Sequence, residues 1–574
     1  MEFLTPYRQT IELNKVERWK LERQPLEVYE AVVESYSKAL PDAAEAIAAV
    51  EGEQERLKWV GIYPQRQGGD AYMMRVKVPG GRLNASQAAV IGNIADTYGR
   101  SPAGSGRSRA ASEGCCDITT RQDIQLHWIR MAEVPEIWRL LEEVGLTTLQ
   151  ACGDSARNVL CCPVAGLDAE EAFDAFPVAR AITDYFTGNR EYSNLPRKFK
   201  ISVTGCLDDC AQAEINDIGL WPARRADGAL GFNVLVGGGL SDGPRLASDI
   251  DVFVETGQAV ELSRAIAQTW GELGNRENRG QSRMRYLVQE LGPERFREEL
   301  SARCGFGLTP AGEALTRRYR GDHVGVHPQR QAGLSYVGLN VTVGRMAGSA
   351  LVEVGRLAEA YGDGGVRLAT DQNLIITGVP DDRLAELLAE PQLSVHSPSP
   401  GPFARGAVAC TGTEFCRFAI VETKQRMAEW ARQLDAELSR GASPGTQADG
   451  ASRDQASRDQ ASRDQAEIVR IHLSGCSASC AQPQIADIGL RGDTAKVDGR
   501  LVEALDIGLG GSLGTDAAFV DWVEGAKPAD EVPAGLARLL VSYQGQRHPG
   551  ERFYEWARRV PNSQLRAVIA GAAG

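Results

Sequence analysis

Ile201-Ser-Val-Thr-Gly-Cys206-Leu-Asp-Asp-Cys210-Ala-Gln is written a second time in this chain, as Ile471-His-Leu-Ser-Gly-Cys476-Ser-Ala-Ser-Cys480-Ala-Gln. Both copies run on to Asp-Ile-Gly-Leu, at 217–220 and 487–490, and then to a glycine-rich loop, Gly237-Gly-Gly-Leu-Ser and Gly508-Leu-Gly-Gly-Ser. Internal repetition fixes architecture before any single residue does. Upstream the match continues. Gly61-Ile-Tyr-Pro-Gln-Arg-Gln67 recurs as Gly325-Val-His-Pro-Gln-Arg-Gln331, and Thr120-Arg-Gln-Asp-Ile-Gln-Leu126 is answered by Thr370-Asp-Gln-Asn-Leu-Ile-Ile376. Period-two strand patterns at 71–78 and 334–343 follow the first of these pairs, and helical patterns follow them. Cys152 and Cys410 each open a turn into an apolar segment, which pairs those two positions. The chain is therefore read as an α+β protein, internally duplicated. Each half holds a small β/α unit and then a larger, cysteine-bearing α/β unit.

A length of 574 residues exceeds what one hydrophobic core supports, and 43% hydrophobic with 24% charged residues is ordinary for a globular protein. No apolar stretch reaches the length that spans a bilayer, so no membrane association is expected. The start, Met1-Glu-Phe-Leu-Thr-Pro, lacks the basic-then-apolar pattern of a signal peptide, and a cytoplasmic protein is expected. A net charge of -13 argues against non-specific nucleic-acid binding. The glycine loops lack the G-x-G-x-x-G order and are read as tight turns rather than dinucleotide sites. Residues 441–465, with Ala-Ser-Arg-Asp-Gln three times over, cannot bury a core and are read as a disordered insert.

The twelve cysteines cluster, which in a cytosolic chain favours metal or catalytic use over disulfides. Cys410 and Cys416 lie in Cys-Thr-Gly-Thr-Glu-Phe-Cys; Cys476 and Cys480 lie in Cys-Ser-Ala-Ser-Cys. Four soft thiolates complete either an iron–sulfur cluster or a zinc site, and the five-residue gap of the first pair is wider than zinc pairs usually show.

On these residues, and on the duplication from about residue 57 to 560, the chain resembles the sirohaem-containing nitrite and sulfite reductases, most closely the ferredoxin-dependent nitrite reductases of prokaryotes. The resemblance implies two ferredoxin-like half-domains and two larger α/β sirohaem/iron–sulfur domains in pseudo-two-fold relation. The expected divisions are an N-terminal helical extension (1–54), half-domain one (55–140) and a substrate-cradle domain (141–310). Half-domain two (311–395), a cluster and sirohaem domain (396–560) and a C-terminal tail (561–574) follow. It implies a [4Fe–4S] cluster on Cys410, Cys416, Cys476 and Cys480, with Cys480 also the axial ligand of the sirohaem iron. It further implies reduced ferredoxin as donor and a six-electron reduction of nitrite to ammonia.

Sirohaem is a polycarboxylate and nitrite and sulfite are anions, so fixed cations are needed, with arginine preferred for gripping carboxylates. By resemblance, Arg75, Arg157, Lys198 and Lys200 surround the substrate, and Arg121, Gln125 and His127 contact the macrocycle's acid groups. Aligning the halves sets Leu339 against Arg75, Asp371 against Arg121, Phe415 against Arg157 and Ile468 against Lys198. Arg470 alone keeps a cation, against Lys200. The halves thus read as a divided unit, one with an anion cradle and one with a complete cluster site. Sulfite reduction is the alternative, favoured by the Lys198-Phe-Lys200 pattern; a non-catalytic electron carrier would have lost the cations. Cys152, Cys161, Cys162, Cys206 and Cys210 leave open a second cluster, with packed remnants the preferred reading. The basic stretch 546–559 is a candidate ferredoxin-docking face, although Phe553, Trp556 and Val560 have the spacing of an ordinary packed helix.

Overall fold

The computed structural model describes residues 12–39, 42–101, 113–317, 322–441 and 468–571. The expected insert lies outside the described residues, apart from Gly441 at the end of the helix Lys424–Gly441. Two compact units form. One takes in residues 1–239, 243–339 and 345–395; the other takes in 240–242, 340–344 and 396–574.

The first unit contains two five-stranded antiparallel sheets of matching design. One runs Ile62–Pro64, Tyr72–Val76, Ile124–Ile129, Cys115–Ile118, Arg345–Ala347. The other runs Gly325–Pro328, Leu334–Leu339, Leu374–Pro380, Gly365–Leu368, Arg82–Asn84. Each sheet ends in a strand donated by the other copy, the reciprocal exchange that a pseudo-two-fold relation requires. Each donated strand leads straight into a helix, Ala85–Tyr98 or Gly348–Tyr361. Asn84 caps the first of these, its side chain accepting from Gln87 N–H while the Gln87 side chain bonds back to the Asn84 backbone. The two helices touch at glycines: a Cβ on Gly92 would lie 2.4 Å from the Gly348 carbonyl oxygen. Exchange and close packing together fuse the half-domains.

The same unit carries a larger sheet, Ser248–Val254, Leu230–Val236, Ile218–Arg224, Ile201–Val203, Leu160–Cys161, parallel across its last three strands and antiparallel across the rest. Its core gathers Phe186, Phe199, Phe232, Phe296 and Trp270 with the strands' aliphatic faces. Upstream, the helix Lys15–Glu22 buries Lys20 and Glu17. Lys20 Nζ lies 2.5 Å from Glu17 Oε1 and 3.5 Å from Asp154 Oδ2, and Arg276 Nη1 lies 2.6 Å from Glu17 Oε2.

The second unit repeats five strands of that larger sheet, Ala407–Ala409, Ile471–Ser474, Ile488–Val497, Arg500–Leu509 and Asp521–Pro528, without a counterpart, among the described residues, of the short strand Glu313–Ala314 that pairs with Ile218–Arg224 in the first. Residues 561–574, taken from the sequence as a tail, carry the helix Asn562–Ala570, with Leu565 and Ile569 buried in the second unit's core.

Candidate active site and metal centres

The registers of the two larger sheets correct the sequence alignment at one point. Ala409 pairs with Leu473, and Cys161 pairs with Val203, the counterpart of Leu473 in the repeat. The residue that follows each strand is therefore Cys410 in one copy and Cys162, not Cys152, in the other. A matching turn bond confirms the frame: Cys416 N–H donates to Gly412 C=O at 2.9 Å, and Asp168 N–H donates to Val164 C=O at 3.1 Å. In this frame Arg157 faces Arg405 rather than Phe415, so two of the five cradle positions keep a cation in the second copy. The sequence alone does not set this frame, because the chain between strand and turn offers no pattern to count by.

In the second unit Cys410 follows the first strand, Cys416 closes the turn after it, and Cys476 and Cys480 occupy the loop after the second strand. That loop holds Ser479 and Gln482 at positive φ, as the first copy holds Asp209 and Gln212. Non-glycine residues in this conformation cost about 1–3 kcal/mol and tend to mark functional loops. Gly475 N–H donates to Cys410 Sγ at 3.1 Å. Burial pushes the Cys410 thiol up to about 12, with Cys480 and Cys416 adding to the rise, and the same neighbours raise Cys476. The four thiols are thus near enough to act on one another electrostatically. Among the described residues, no three of them lie within 4.8 Å. Tetrahedral thiolates on a single zinc would sit about 3.8 Å apart. The wider set suits a polynuclear cluster, whose bound iron would supply the positive charge these thiols need to ionise.

The cations collect in the first unit. Arg75 lies on the strand Tyr72–Val76 opposite Gln125, and its Nη1 is 2.9 Å from Cys152 Sγ. Arg157 folds back on Gly153, its Nε and Nη2 donating to that carbonyl at 3.1 and 2.8 Å. Arg121 donates to Asn216 Oδ1 at 2.9 Å and to Asn158 C=O at 2.6 Å. Burial lowers Arg121 to about 10; Asp123 and Asp217 oppose that fall, and Arg157 and Arg75 add to it. Lys200 is held well below the ordinary lysine value by burial, then by Lys198, Arg121 and Arg283. Arg75, Arg121, Arg157, Lys198 and Lys200 therefore act on one another electrostatically.

Sequence reading missed three members of this group. Lys77 is buried and lowered to about 8, chiefly by desolvation. Arg283 and Arg285 are buried beside Gly239, where a Cβ would stand 2.9 Å from Arg283 Nη2. The glycine loop at 237–239 is a tight turn, as expected, and it also makes room for these arginines. Asp217 is one of two buried acids in the group, with Asp123; it lies 3.1 Å from Arg283 and accepts from Lys200 N–H at 2.9 Å. The repeated Asp-Ile-Gly-Leu was the signal for it. The Nε atoms of Arg121 and Arg283 are buried without a hydrogen-bond partner in the protein, donors suited to a carboxylate-rich macrocycle.

His127 has another setting. Its Nε2 lies 3.0 Å from Asp117 Oδ2 and its Nδ1 3.3 Å from Gln65 Oε1, in a fully buried chain that Arg345 extends at 2.7 Å from Asp117. Both ring nitrogens are engaged within the sheet. The C-terminal arginines are likewise committed: Arg558 donates to Gly510 and Asp516 carbonyls at 2.7 and 2.9 Å, and Arg559 pairs with Glu551 at 2.7 Å. The helix Phe553–Arg559 buries Phe553 and Trp556, so the packed-helix alternative holds there.

Comparison with known proteins agrees with this geometry. The family described as nitrite and sulphite reductase 4Fe–4S domain matches residues 152–307. The nitrite/sulfite reductase ferredoxin-like half domain matches 63–103, 108–144 and 327–394. An assimilatory ferredoxin-dependent nitrite reductase of Haloferax mediterranei is 41% identical, covering 91% of this chain and 89% of its own. A ferredoxin–nitrite reductase of Synechococcus elongatus is 40% identical, covering 93% and 98%. The structure of the Mycobacterium tuberculosis NirA protein is similar with a TM-score of 0.85 at 30% identity, covering 98% of this chain and 99% of that one. With both half-domains and the first larger domain matched, and relatives alike along nearly their whole length, the chain belongs to the nitrite and sulphite reductase family.

Proposed function

We propose that this protein is a ferredoxin-dependent assimilatory nitrite reductase, converting nitrite to ammonia with six electrons in the cytoplasm. The observation that carries this reading is the pairing, in one family member, of a widely spaced four-cysteine set with a dense group of buried cations. The names of the relatives in Haloferax and Synechococcus support nitrite as substrate and ferredoxin as donor. Among the described residues no helix is long and apolar enough to cross a membrane.

Cys410, Cys416, Cys476 and Cys480 hold the [4Fe–4S] cluster, and Cys480, the exposed member of the four, also serves the sirohaem iron. The two cofactors supply the electron transfer and the iron that binds substrate. What the chain adds is charge and protons. Arg75, Arg157, Lys198 and Lys200 fix the anion and offset the negative charge that grows as N–O bonds weaken. Arg121 and Gln125 hold macrocycle carboxylates, and His127 braces that strand from behind through Asp117 and Gln65. Arginine is a poor acid near neutrality. Lys200, its ammonium form disfavoured by burial and neighbouring cations, gives up a proton from Nζ more readily than a free lysine does.

The test is steady-state turnover of the holoenzyme with one reduced ferredoxin, offered nitrite or sulfite. Ammonia as product, with kcat/KM for nitrite far above that for sulfite, is expected. Because Lys198-Phe-Lys200 is the pattern associated with sulfite reductases, a reversed ratio would replace this reading with sulfite reduction.

A further inference from the structure

Cys162, Cys210 and His323 meet in the first unit, with Cys206 next to them, whereas the four cysteines assigned to the cluster belong to the second unit. Cys162, Cys206, Cys210 and His323 are buried: 1%, 2%, 7% and 4% exposed respectively. Ligand atoms of Cys162, Cys210 and His323 all lie within 4.8 Å of one another, and among the described residues no other such group of three or more is found. His323 Nε2 is 3.1 Å from Cys210 Sγ. Cys206 stands just outside this trio, near enough to act on the Cys162 and Cys210 thiols electrostatically. None of the cysteines is in a disulfide.

We infer that Cys162, Cys206, Cys210 and His323 bind one zinc ion, in a structural site distinct from the iron–sulfur cluster. Three observations lead there. Cys162, Cys210 and His323 are gathered closely enough to share a single ion, around which tetrahedral thiolates would stand about 3.8 Å apart, and Cys206 is next to them as the fourth donor. In a cubane each thiolate sits beyond its own iron, and the sulfurs are held farther from one another. The donor set is the second observation. Three thiolates and one imidazole are a common closed zinc shell, and Cys206-x3-Cys210 has ordinary zinc-pair spacing. The third is the arrangement behind the ligands. His323 Nδ1 lies 3.3 Å from Tyr336 OH, which fixes the ring with Nε2 turned to the sulfurs, and Thr204 Oγ1 lies 3.1 Å from Cys206 Sγ. Metal-bound histidines are oriented in this way by a partner on the far nitrogen.

The repeat explains how the site arose. In the corrected frame Cys162, Cys206 and Cys210 are counterparts of Cys410, Cys476 and Cys480, while Asp168 stands where Cys416 does. A fourth thiolate on that turn is missing. The replacement comes from 113 residues beyond Cys210, from the segment leading into the strand Gly325–Pro328. Trp59 occupies the matching place in the first half-domain, so His323 is not part of the repeated pattern. Cys152, which the sequence set among the remnants, has left the group for Arg75. The zinc joins the larger sheet of the first unit to the second half-domain and takes no part in electron transfer.

The test uses holoenzyme produced in zinc-replete medium and measures zinc by mass spectrometry against sirohaem absorbance. One zinc per chain is expected, with a zinc-edge absorption spectrum fitted by three sulfurs and one nitrogen. Cys162→Ser and His323→Gln should each lose the zinc while cluster iron, acid-labile sulfide and sirohaem are retained. Should Cys162→Ser fail to fold, His323→Gln and the native spectrum still decide. A native holoenzyme without zinc overturns the assignment. So does zinc bound by nitrogen and oxygen alone, or iron and sulfide in excess of one cluster that disappear in His323→Gln.

Discussion

Replacing Asp217 with alanine removes the buried acid that pairs with Arg283 and positions Lys200. Its carboxylate is fully buried, 3.1 Å from Arg283 Nη2 through both oxygens, and accepts from Lys200 N–H at 2.9 Å. Without it a buried guanidinium stands unpaired beside other cations. Breaking a buried ion pair costs about 3–5 kcal/mol. The orphaned Lys200 N–H adds about 1–3 kcal/mol, not fully additive because the two share one acceptor. A loss of about 4–6 kcal/mol in a unit of this size lowers the unfolding midpoint by roughly 10 °C, readable by calorimetry at fixed scan rate. Lys200 also loses the bond that places it, so KM for nitrite should rise about tenfold, a shift of about 1.4 kcal/mol. Asp487 is the matched control. It accepts from Arg470 N–H at 2.8 Å and from Arg470 Nε at 3.0 Å, in the same loop of the other copy. Asp487→Ala should be destabilised comparably, with KM unchanged while both cofactors stay bound. A wild-type midpoint for Asp217→Ala, or equal KM shifts in the two variants, would refute the reasoning.

Arg157→Ala should lower kcat/KM for nitrite by about 100-fold, the usual effect of removing one donor aimed at developing charge, with cluster and sirohaem absorbance unchanged. Lys20→Met leaves Glu17 and Asp154 with one cation fewer in a buried network. It should cost about 3–5 kcal/mol and raise hydrogen exchange across Lys15–Glu22 first. Gly92→Val drives a side chain into the Gly348 carbonyl. Overpacking of this kind costs about 1–3 kcal/mol or more, seen as a lower melting midpoint that Gly92→Ala reproduces only in part.

The duplication was legible because cysteines, glycines and an Asp-Ile-Gly-Leu run mark equivalent loops in both copies. The four cysteines of the second copy and the cations of the first were legible for the same reason. Strand exchange was not: Arg82–Asn84 and Arg345–Ala347 look like any short strand, and their partners lie in the other copy. Arg283 and Arg285 escaped notice because nothing local separates a buried arginine from a solvated one until the glycine turn is folded beside it. Pairing Cys152 with Cys410 failed for want of a register, which only the parallel pairing of Cys161 with Val203 supplies. His323 was unreadable as a ligand because the cysteines it faces are 113 or more residues away in the chain.

The division of labour between the copies is tested most directly by the reduced-state paramagnetic signal and acid-labile sulfide of Cys476→Ser and Cys206→Ser. These are the same loop position in the two halves. Cys476→Ser should lose both the signal and the sulfide, and Cys206→Ser should keep both at wild-type level. Loss in Cys206→Ser with retention in Cys476→Ser would place the cluster in the first copy and contradict the assignment.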